Sequence, residues 1–381
     1  MSGRVWKRGN RWMAILELGR DSEGKRRTRW KAFPTKSSAR SWVAEQGERL
    51  RTATYIPDSR QTLGSFLAEW LDAISTTVRP VTLDSYRRLM NTHVVPRIGM
   101  IPLQQLGAPH LNRLYAVMLT SGNTRGSSGG GLSPRTVRYV HSIVHRALRD
   151  AVRWDLLVRN AADQADPPRA QTPEMRSWDA EQLGAFLSHV GSDRLFPLWL
   201  VAASTGARRG ELLALRWSDM SFSPPRMEIS RTLTSIAYRL SFSEPKTKRS
   251  RRSVPLDAQT ASVLRSWKAV QAEEKMALGA AYSDQGLVFA NPMGEPIHPD
   301  RMTQMFSAHV RKAGLPRISL HGLRHSHASI LLRAGVHPKV VQQRLGHSTV
   351  ALTLDTYSHL IPAMEEEAAE LGAALVFGGG Q

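Results

Sequence analysis

A chain of 381 residues is too long for one ordinary core, and a 41% hydrophobic content is enough to fill two or three, which excludes wholesale disorder. It has no cysteine, which excludes disulfides, thiolate zinc sites and cysteine nucleophiles and suits a reducing cytoplasm. Lys and Arg number 52 against 32 Asp and Glu, and a net charge of +20 implies a polyanionic partner: nucleic acid before a lipid surface, since neither a basic amphipathic helix with an aromatic face, a signal peptide nor a membrane span is evident.

Residues 1–56 read as a small basic three-stranded sheet followed by a helix. Arg11 to Leu18 is rich in apolar residues and ends at the polar turn Asp21-Ser22-Glu23-Gly24, and Arg27 to Phe33 completes a hairpin. Pro34 and Thr35 then open a helix carrying Ala39, Trp42, Val43 and Leu50. Up to residue 52 there are fourteen basic residues against five acidic ones, so nearly half the charge surplus falls in a seventh of the chain. Such a sheet can lie in a DNA groove, with Arg8, Arg11, Arg27 and Arg29 as candidate contacts. A solvated basic face is the plainer reading.

Residues 57–168 read as a four-helix domain. Thr62 caps a run with Leu63, Phe66, Leu67, Trp70 and Leu71 at helical spacing, and further helices are expected at Val81 to Val95 and Pro109 to Leu119. After a flexible glycine-rich loop from Gly122 to Gly131, Ser133-Pro134 restarts a helix whose stripe is Val137, Val140, Ile143, Val144, Leu148 and Val152. Its other face carries Arg135, Arg138, His141, Arg146 and Arg149, of which Arg135 and Arg138 are candidate DNA contacts. Residues 159–177 hold three prolines and no periodicity, the composition of a linker.

The remainder, placed with the last linker residues in a domain of 169–381, alternates helices with a short β-region. Helices are expected at Asp179 to Val190, Leu195 to Ala203 and Arg209 to Leu215, and strands at Met227 to Leu233 and Ser253 to Leu256. Further helices are expected at Ala258 to Leu278, Pro299 to Ala313, Gly322 to Arg333, Pro338 to Leu345 and Leu352 to Leu360. The fold class is therefore multidomain and mainly α, with small β-sheets.

Phosphoryl transfer needs a nucleophile, charge stabilisation on the non-bridging oxygens and a proton for the leaving oxygen. The last domain offers no convincing carboxylate cluster for Mg²⁺, so arginine, whose fork matches two oxygens, is the alternative. Two arginine contexts stand out: Thr205-Gly206-Ala207-Arg208-Arg209-Gly210-Glu211-Leu212, and His321-Gly322-Leu323-Arg324 at the head of a helix. Leu345-Gly346-His347 and Leu354-Asp355-Thr356-Tyr357-Ser358-His359 follow. Each is weak alone; their occurrence together in this order is not.

In TGARRGELLALRWSD, HGLRHSHAS and LGHSTVALTLDTYSHL the chain resembles the tyrosine recombinases, specifically the integrases of temperate phages and related mobile elements. The resemblance implies that Arg208 and Arg324 hold the scissile phosphate, with Arg209 a competitor for the first role and Glu211 orienting Arg208. Lys246 would be the general acid for the 5′ oxygen, with Lys248 in reserve, while Lys248, Arg249, Arg251 and Arg252 form a phosphate-contacting ridge. His321 would act as a base near the tyrosine hydroxyl and His347 would donate to a phosphate oxygen.

Of seven tyrosines only Tyr357 lies beyond the second arginine, and the resemblance makes it the nucleophile. A covalent 3′-phosphotyrosyl link retains the bond energy, so no ATP, metal or other cofactor is expected, and neither a GxxxxGK[ST] nor a Rossmann fingerprint is present. A zinc reading of His321, His325, His327 and His359 lacks carboxylate or cysteine support. The resemblance further implies a homotetramer on double-stranded DNA, with core and arm attachment sites, an excisionase and a DNA-bending host factor as accessory partners, and a C-terminal tail after Leu360 that docks on a neighbour or on its own domain. Two other classes compete: a type IB topoisomerase with the same catalytic set, and a non-catalytic DNA-binding regulator.

Overall fold

The computed structural model describes residues 3–20, 24–52, 56, 59–123, 130–170, 176–244, 251–347 and 349–351, together with Leu354, Ala373 and Phe377. The chain divides into two compact units, Met1–Thr172 and Pro173–Gln381.

The first unit opens with an antiparallel sheet of β1 (Gly3–Arg8), β2 (Arg11–Arg20) and β3 (Arg26–Phe33), followed by α1 (Lys36–Arg51). The Thr35 hydroxyl starts α1 by accepting from the Ser38 amide at 3.2 Å. Strand residues alternate faces, so Ala14 and Leu16 turn to α1 and are buried with Ala39 and Trp42. The register pairs Trp6 with Met13, Ile15 with Trp30 and Arg8 with Arg11 on the opposite face. Trp6 and Trp30 are exposed there.

The helices α2 (Leu63–Ala73), α3 (Pro80–Leu89), α4 (Val95–Ile98), α5 (Ala108–Ser121) and α6 (Pro134–Arg153) share one core. The stripe on α6 is buried from Val137 to Leu148 as its spacing predicts, with Val152 half-buried, and the Trp70 indole donates to the buried Asp150 carboxylate at 2.8 Å. The helix expected over Val81 to Val95 is interrupted by a π-helical turn, Met90–Val94. Pro96 has no amide to give to the preceding turn, and Arg97 fills the gap by donating to the carbonyls of Thr92 and His93, each at 3.1 Å. The expected linker also needs correcting. Its first residues form a short 3-10 turn, Ala161–Gln164, with Ala161 and Ala162 buried. Asn160 ties that turn to the His145 carbonyl, and Asn112 bonds Asp166. Side-chain hydrogen bonds supplied an order that hydrophobic periodicity could not reveal. Most of the glycine-rich loop, residues 124–129, lies outside the described residues.

The second unit begins with α7 (Ala180–His189), capped by Asp179, then α8 (Phe196–Thr205) and the short α9 (Arg209–Leu213). Its β-region consists of two small antiparallel sheets: β4 (Met220–Phe222), β5 (Pro225–Ile229) and β8 (Arg252–Pro255) in the order β4-β5-β8, and β6 (Thr232–Ile236) with β7 (Arg239–Ser243). The single strand expected over Met227 to Leu233 therefore breaks in two. Arg231, at the break, donates to the Ala214 carbonyl at 2.7 Å and lies over the Phe242 ring. The helices α10 (Ala258–Leu278), α11 (Pro299–Lys312), α12 (Leu320–Arg333) and α13 (Pro338–Leu345) complete the described elements. The chain is mainly α with small antiparallel sheets, as its patterning implies. Among the described residues, no helix is long and apolar enough to cross a membrane.

Candidate active site

Two helices of the second unit end on left-handed glycines, Gly206 after α8 and Gly346 after α13, with φ of 63° and 69°. A Cβ on Gly206 would lie 2.8 Å from Leu345 and 2.9 Å from His327, so these chain ends approach closely only because this position is glycine. Arg324, on α12, bridges them. Its Nη1 donates to the Gly206 carbonyl at 2.8 Å and its Nη2 to the Leu345 carbonyl at 2.7 Å, and the residue is 2% exposed.

Arg208 stands at the N-terminus of α9. It donates from Nη1 to Glu211 Oε1 at 2.8 Å and from its amide to Glu211 Oε2 at 2.9 Å, while Nη2 reaches the Gly346 carbonyl at 3.3 Å. Its side chain stays 39% exposed. Arg209 turns elsewhere, donating to Thr303 at 2.7 Å and to the Pro299 carbonyl at 3.1 Å. Glu211 is buried and accepts from Arg252 as well, at 2.9 and 3.2 Å. Burial alone would raise the Glu211 pKa, but the bonds and charges of Arg252 and then Arg208 outweigh it and hold the carboxylate below its ordinary value.

The histidines gather around the same guanidiniums. His321 loses hydration and faces Arg324 and Arg208, all of which lower its pKa, so the ring is neutral near pH 7. His325 meets it edge-on, with ring centroids 4.7 Å apart. His347 follows Gly346 directly; burial, then Arg324 and Arg208, push its pKa down to about 4. A neutral imidazole keeps one N–H to donate and one nitrogen to accept a proton. Three histidines from the zinc reading are described, yet among the described residues no group of three or more His, Cys, Asp or Glu could hold a metal ion.

The structure thus brings Arg208, Glu211, His321, Arg324 and His347 to one locality. Lys246, Lys248, Arg249 and Tyr357, with His359 and the tail segment from residue 361, lie outside the described residues apart from Ala373 and Phe377. Arg251 is exposed and paired with Glu244 at 2.6 Å. Arg252 departs from the expected phosphate ridge: its side chain is only 6% exposed and is committed to Glu211. It shares a strand face with buried Val254, and that period-2 relation is the signal that could have revealed it. Arg344 was also missed. It donates to the Ser204 carbonyl at 2.8 Å, the Pro255 carbonyl at 3.1 Å and His327 Nε2 at 3.1 Å. Burial, then the Arg344 charge, brings the His327 pKa to about 3.

In the first unit, the four candidate contacts of the sheet divide by strand register. Arg8 and Arg11 pair on the face away from α1, whereas Arg29 pairs with Leu16 on the α1 side and lies over the Trp42 ring at 5.7 Å. Arg27, two residues before Arg29, shares that parity. Arg135 and Arg138 are both exposed on α6.

Residues 175–364 match the Phage integrase family, and residues 62–118 match the phage integrase N-terminal SAM-like domain. A protein described as tyrosine recombinase XerC-like from Caldanaerobacter subterraneus subsp. tengcongensis is 25% identical over 390 residues, spanning 96% of this chain and 96% of its own. An integrase of Streptomyces ambofaciens is 26% identical over 369 residues, 93% of this chain and 91% of its own. Among solved structures, the Tn1549 transposon integrase in complex with transposon right end DNA has a similar fold, with a TM-score of 0.67 at 21% identity over 82% of this chain and 100% of that one. A lambda integrase tetramer bound to a Holliday junction gives a TM-score of 0.58 at 16% identity, over 92% of this chain and 94% of that one.

Proposed function

The chain belongs to the phage integrase family, and from that premise we propose that it integrates a mobile element by cleaving and rejoining DNA through a 3′-phosphotyrosyl link to Tyr357. The observation that carries this reading is the anchoring of Arg208 and Arg324 to adjacent carbonyls at one helix end, Gly346 and Leu345. Two guanidiniums held this way can share the non-bridging oxygens of one phosphodiester and stabilise the charge that builds there.

In the proposed cycle, the Tyr357 oxygen attacks the scissile phosphorus as its proton passes to His321. The bond to the 5′ oxygen breaks, and Lys246 gives that departing oxygen a proton, leaving a free 5′ hydroxyl. His347, neutral at pH 7, donates its N–H to a phosphate oxygen. Attack by a 5′ hydroxyl reverses the steps and reseals the strand, so the phosphoester energy is conserved.

Residues 1–56 would bind arm sites, 57–168 would clamp the core site with Arg135 and Arg138 toward its backbone, and 169–381 would hold the chemistry. Arg8 and Arg11 are favoured as groove contacts because they share the face away from α1. Arg27 and Arg29 are retained as flanking backbone contacts. Lys248, Arg249 and Arg251 would contact phosphates beside the scissile bond. The active form would be a homotetramer on double-stranded DNA in the bacterial cytoplasm, aided by an excisionase and a DNA-bending host factor, with the tail docked on a neighbour. Excision is included as the reverse reaction.

The test is a nicked suicide duplex carrying the core site, its sequence taken from the junction of the element with the host chromosome. The unaltered chain should yield a denaturant-resistant protein–DNA adduct and Tyr357→Phe none. An adduct that survives Tyr357→Phe would remove the nucleophile from this reading.

A further inference from the structure

Three consecutive carbonyls close α13, and each receives a different guanidinium. Arg344 O accepts from Arg252 Nε at 2.8 Å, Leu345 O from Arg324 Nη2 at 2.7 Å and Gly346 O from Arg208 Nη2 at 3.3 Å. The last carbonyls of a helix have no intrahelical partner and form its negative end, so cations belong there. Two of these arginines already have a part in the proposed cycle. Arg252 does not.

The other end of Arg252 grips the carboxylate that holds Arg208. Glu211 accepts at 3.2 and 2.9 Å from Arg252 and at 2.8 and 2.9 Å from Arg208. The Arg252 and Glu211 side chains are 6% and 4% exposed, so this pair is shielded from solvent and its geometry is costly to disturb. The guanidinium also lies against the backbone just before His347: a Cβ on Gly346 would sit 3.0 Å from Arg252 Nη1 and 3.1 Å from its Cδ. One side chain, at the start of β8, therefore touches both the acid behind Arg208 and the helix end before His347.

We propose that Arg252 is a positioning residue for DNA cleavage, which holds Glu211 so that Arg208 presents its guanidinium to the scissile phosphate. This inference rests on the function proposed above. It demands arginine and not merely a positive charge, because bonding both carboxylate oxygens and a carbonyl takes a planar fork that an ammonium lacks.

The experiment uses the full chain on the nicked core-site duplex, made with either an ordinary scissile phosphate or a methylphosphonate at that position. A methylphosphonate carries no charge on its phosphoryl group, so it depends less on a correctly placed guanidinium. Arg252→Ala should slow adduct formation on the ordinary phosphate on the order of 10²-fold, with the half-saturating DNA concentration little changed. On the methylphosphonate the deficit should shrink at least about tenfold, as it should for Arg208→Ala. Arg252→Lys, which keeps the buried charge and should melt near the unaltered chain, should show the same substrate-dependent deficit. Cleavage by Arg252→Lys at the unaltered rate, or deficits of equal size on both duplexes for both variants, would overturn the proposal. Absence of any adduct with the unaltered chain would strike the proposed function itself, and the inference with it.

Discussion

α6 and α12 both start from a serine cap, Ser133 and Ser319, and their buried faces are opposites. α6 buries Val137, Val140, Ile143, Val144, Ala147, Leu148 and Ala151, with Asp150 its one buried charge. α12 buries Arg324, Ser326, His327 and Ser329 among Leu323, Ala328 and Leu332. An apolar stripe is stabilised by whatever apolar surface meets it, and its own spacing describes it. A buried guanidinium must find specific acceptors, and those of Arg324 lie far off in sequence, at Gly206 and Leu345. The first helix is about stability and the second about geometry.

Substitutions at the two helices should separate these roles. The largest effect is expected at Arg324→Ala, which removes the guanidinium proposed to stabilise the phosphate and orphans two carbonyls; single-turnover cleavage should fall on the order of 10³-fold. If cleavage persists within tenfold, the site has been misassigned. Leu148→Ala on α6 should instead cost about 3 kcal/mol of stability by opening a cavity, read as a lower melting temperature of the first unit. Its cleavage rate at saturating DNA should stay near that of the unaltered chain, and a deficit like that of Arg324→Ala would erase the contrast.

Acid should sharpen the comparison. His325 and His327 on α12 and His347 nearby are lowered to about 4, 3 and 4, in each case by burial first and neighbouring charges second. An unfolded histidine takes up its proton near pH 6.5. Below that pH the unfolded chain therefore binds protons that the native site refuses, and stability falls as pH drops from about 6.5 toward 4. Calorimetry of the full chain should show the second unit's transition moving down across that window. A transition that holds steady would mean that these rings are not kept neutral by the fold. The smallest effect is expected at Arg153→Ala, whose bond to Asp150 at 3.1 Å sits on an exposed arginine. A loss of roughly 0.5 kcal/mol in denaturant unfolding is expected, because the exposed arginine contributes little and Trp70 still donates to the other carboxylate oxygen.

The sequence was legible where structure is local. α1, α6, α10 and α13 follow from caps and apolar spacing, because those signals lie within the helix itself. The β6–β7 hairpin escaped notice because its turn residues Ala237 and Tyr238 take positive φ, at 47° and 63°, without the Gly or Asn that normally advertises such a turn. The π-helical turn before Pro96 and the ordered start of the expected linker depend on side-chain bonds that periodicity does not register. Around Arg208 and Arg324, the order of Arg208, His321, Arg324 and His347 was readable as a motif, while Tyr357 lies outside the described residues. The pairing of Arg252 with Glu211 was not, since it joins residues 41 apart whose types alone suggest surface. Arg252 in a basic run looks like a phosphate contact until its strand face is known.

The open face of the first sheet has a practical consequence. Of the ten tryptophans, Trp6 and Trp30 stand 41% and 66% exposed there and Trp154, at the end of α6, 37%, whereas Trp70, Trp178 and Trp199 are fully enclosed. An indole in water emits at longer wavelength than one in an apolar interior, and dissolved iodide reaches it sooner. The protein therefore carries a built-in optical probe on the surface proposed to meet arm-site DNA, and a duplex seated there would shield those rings from the quencher without any attached label.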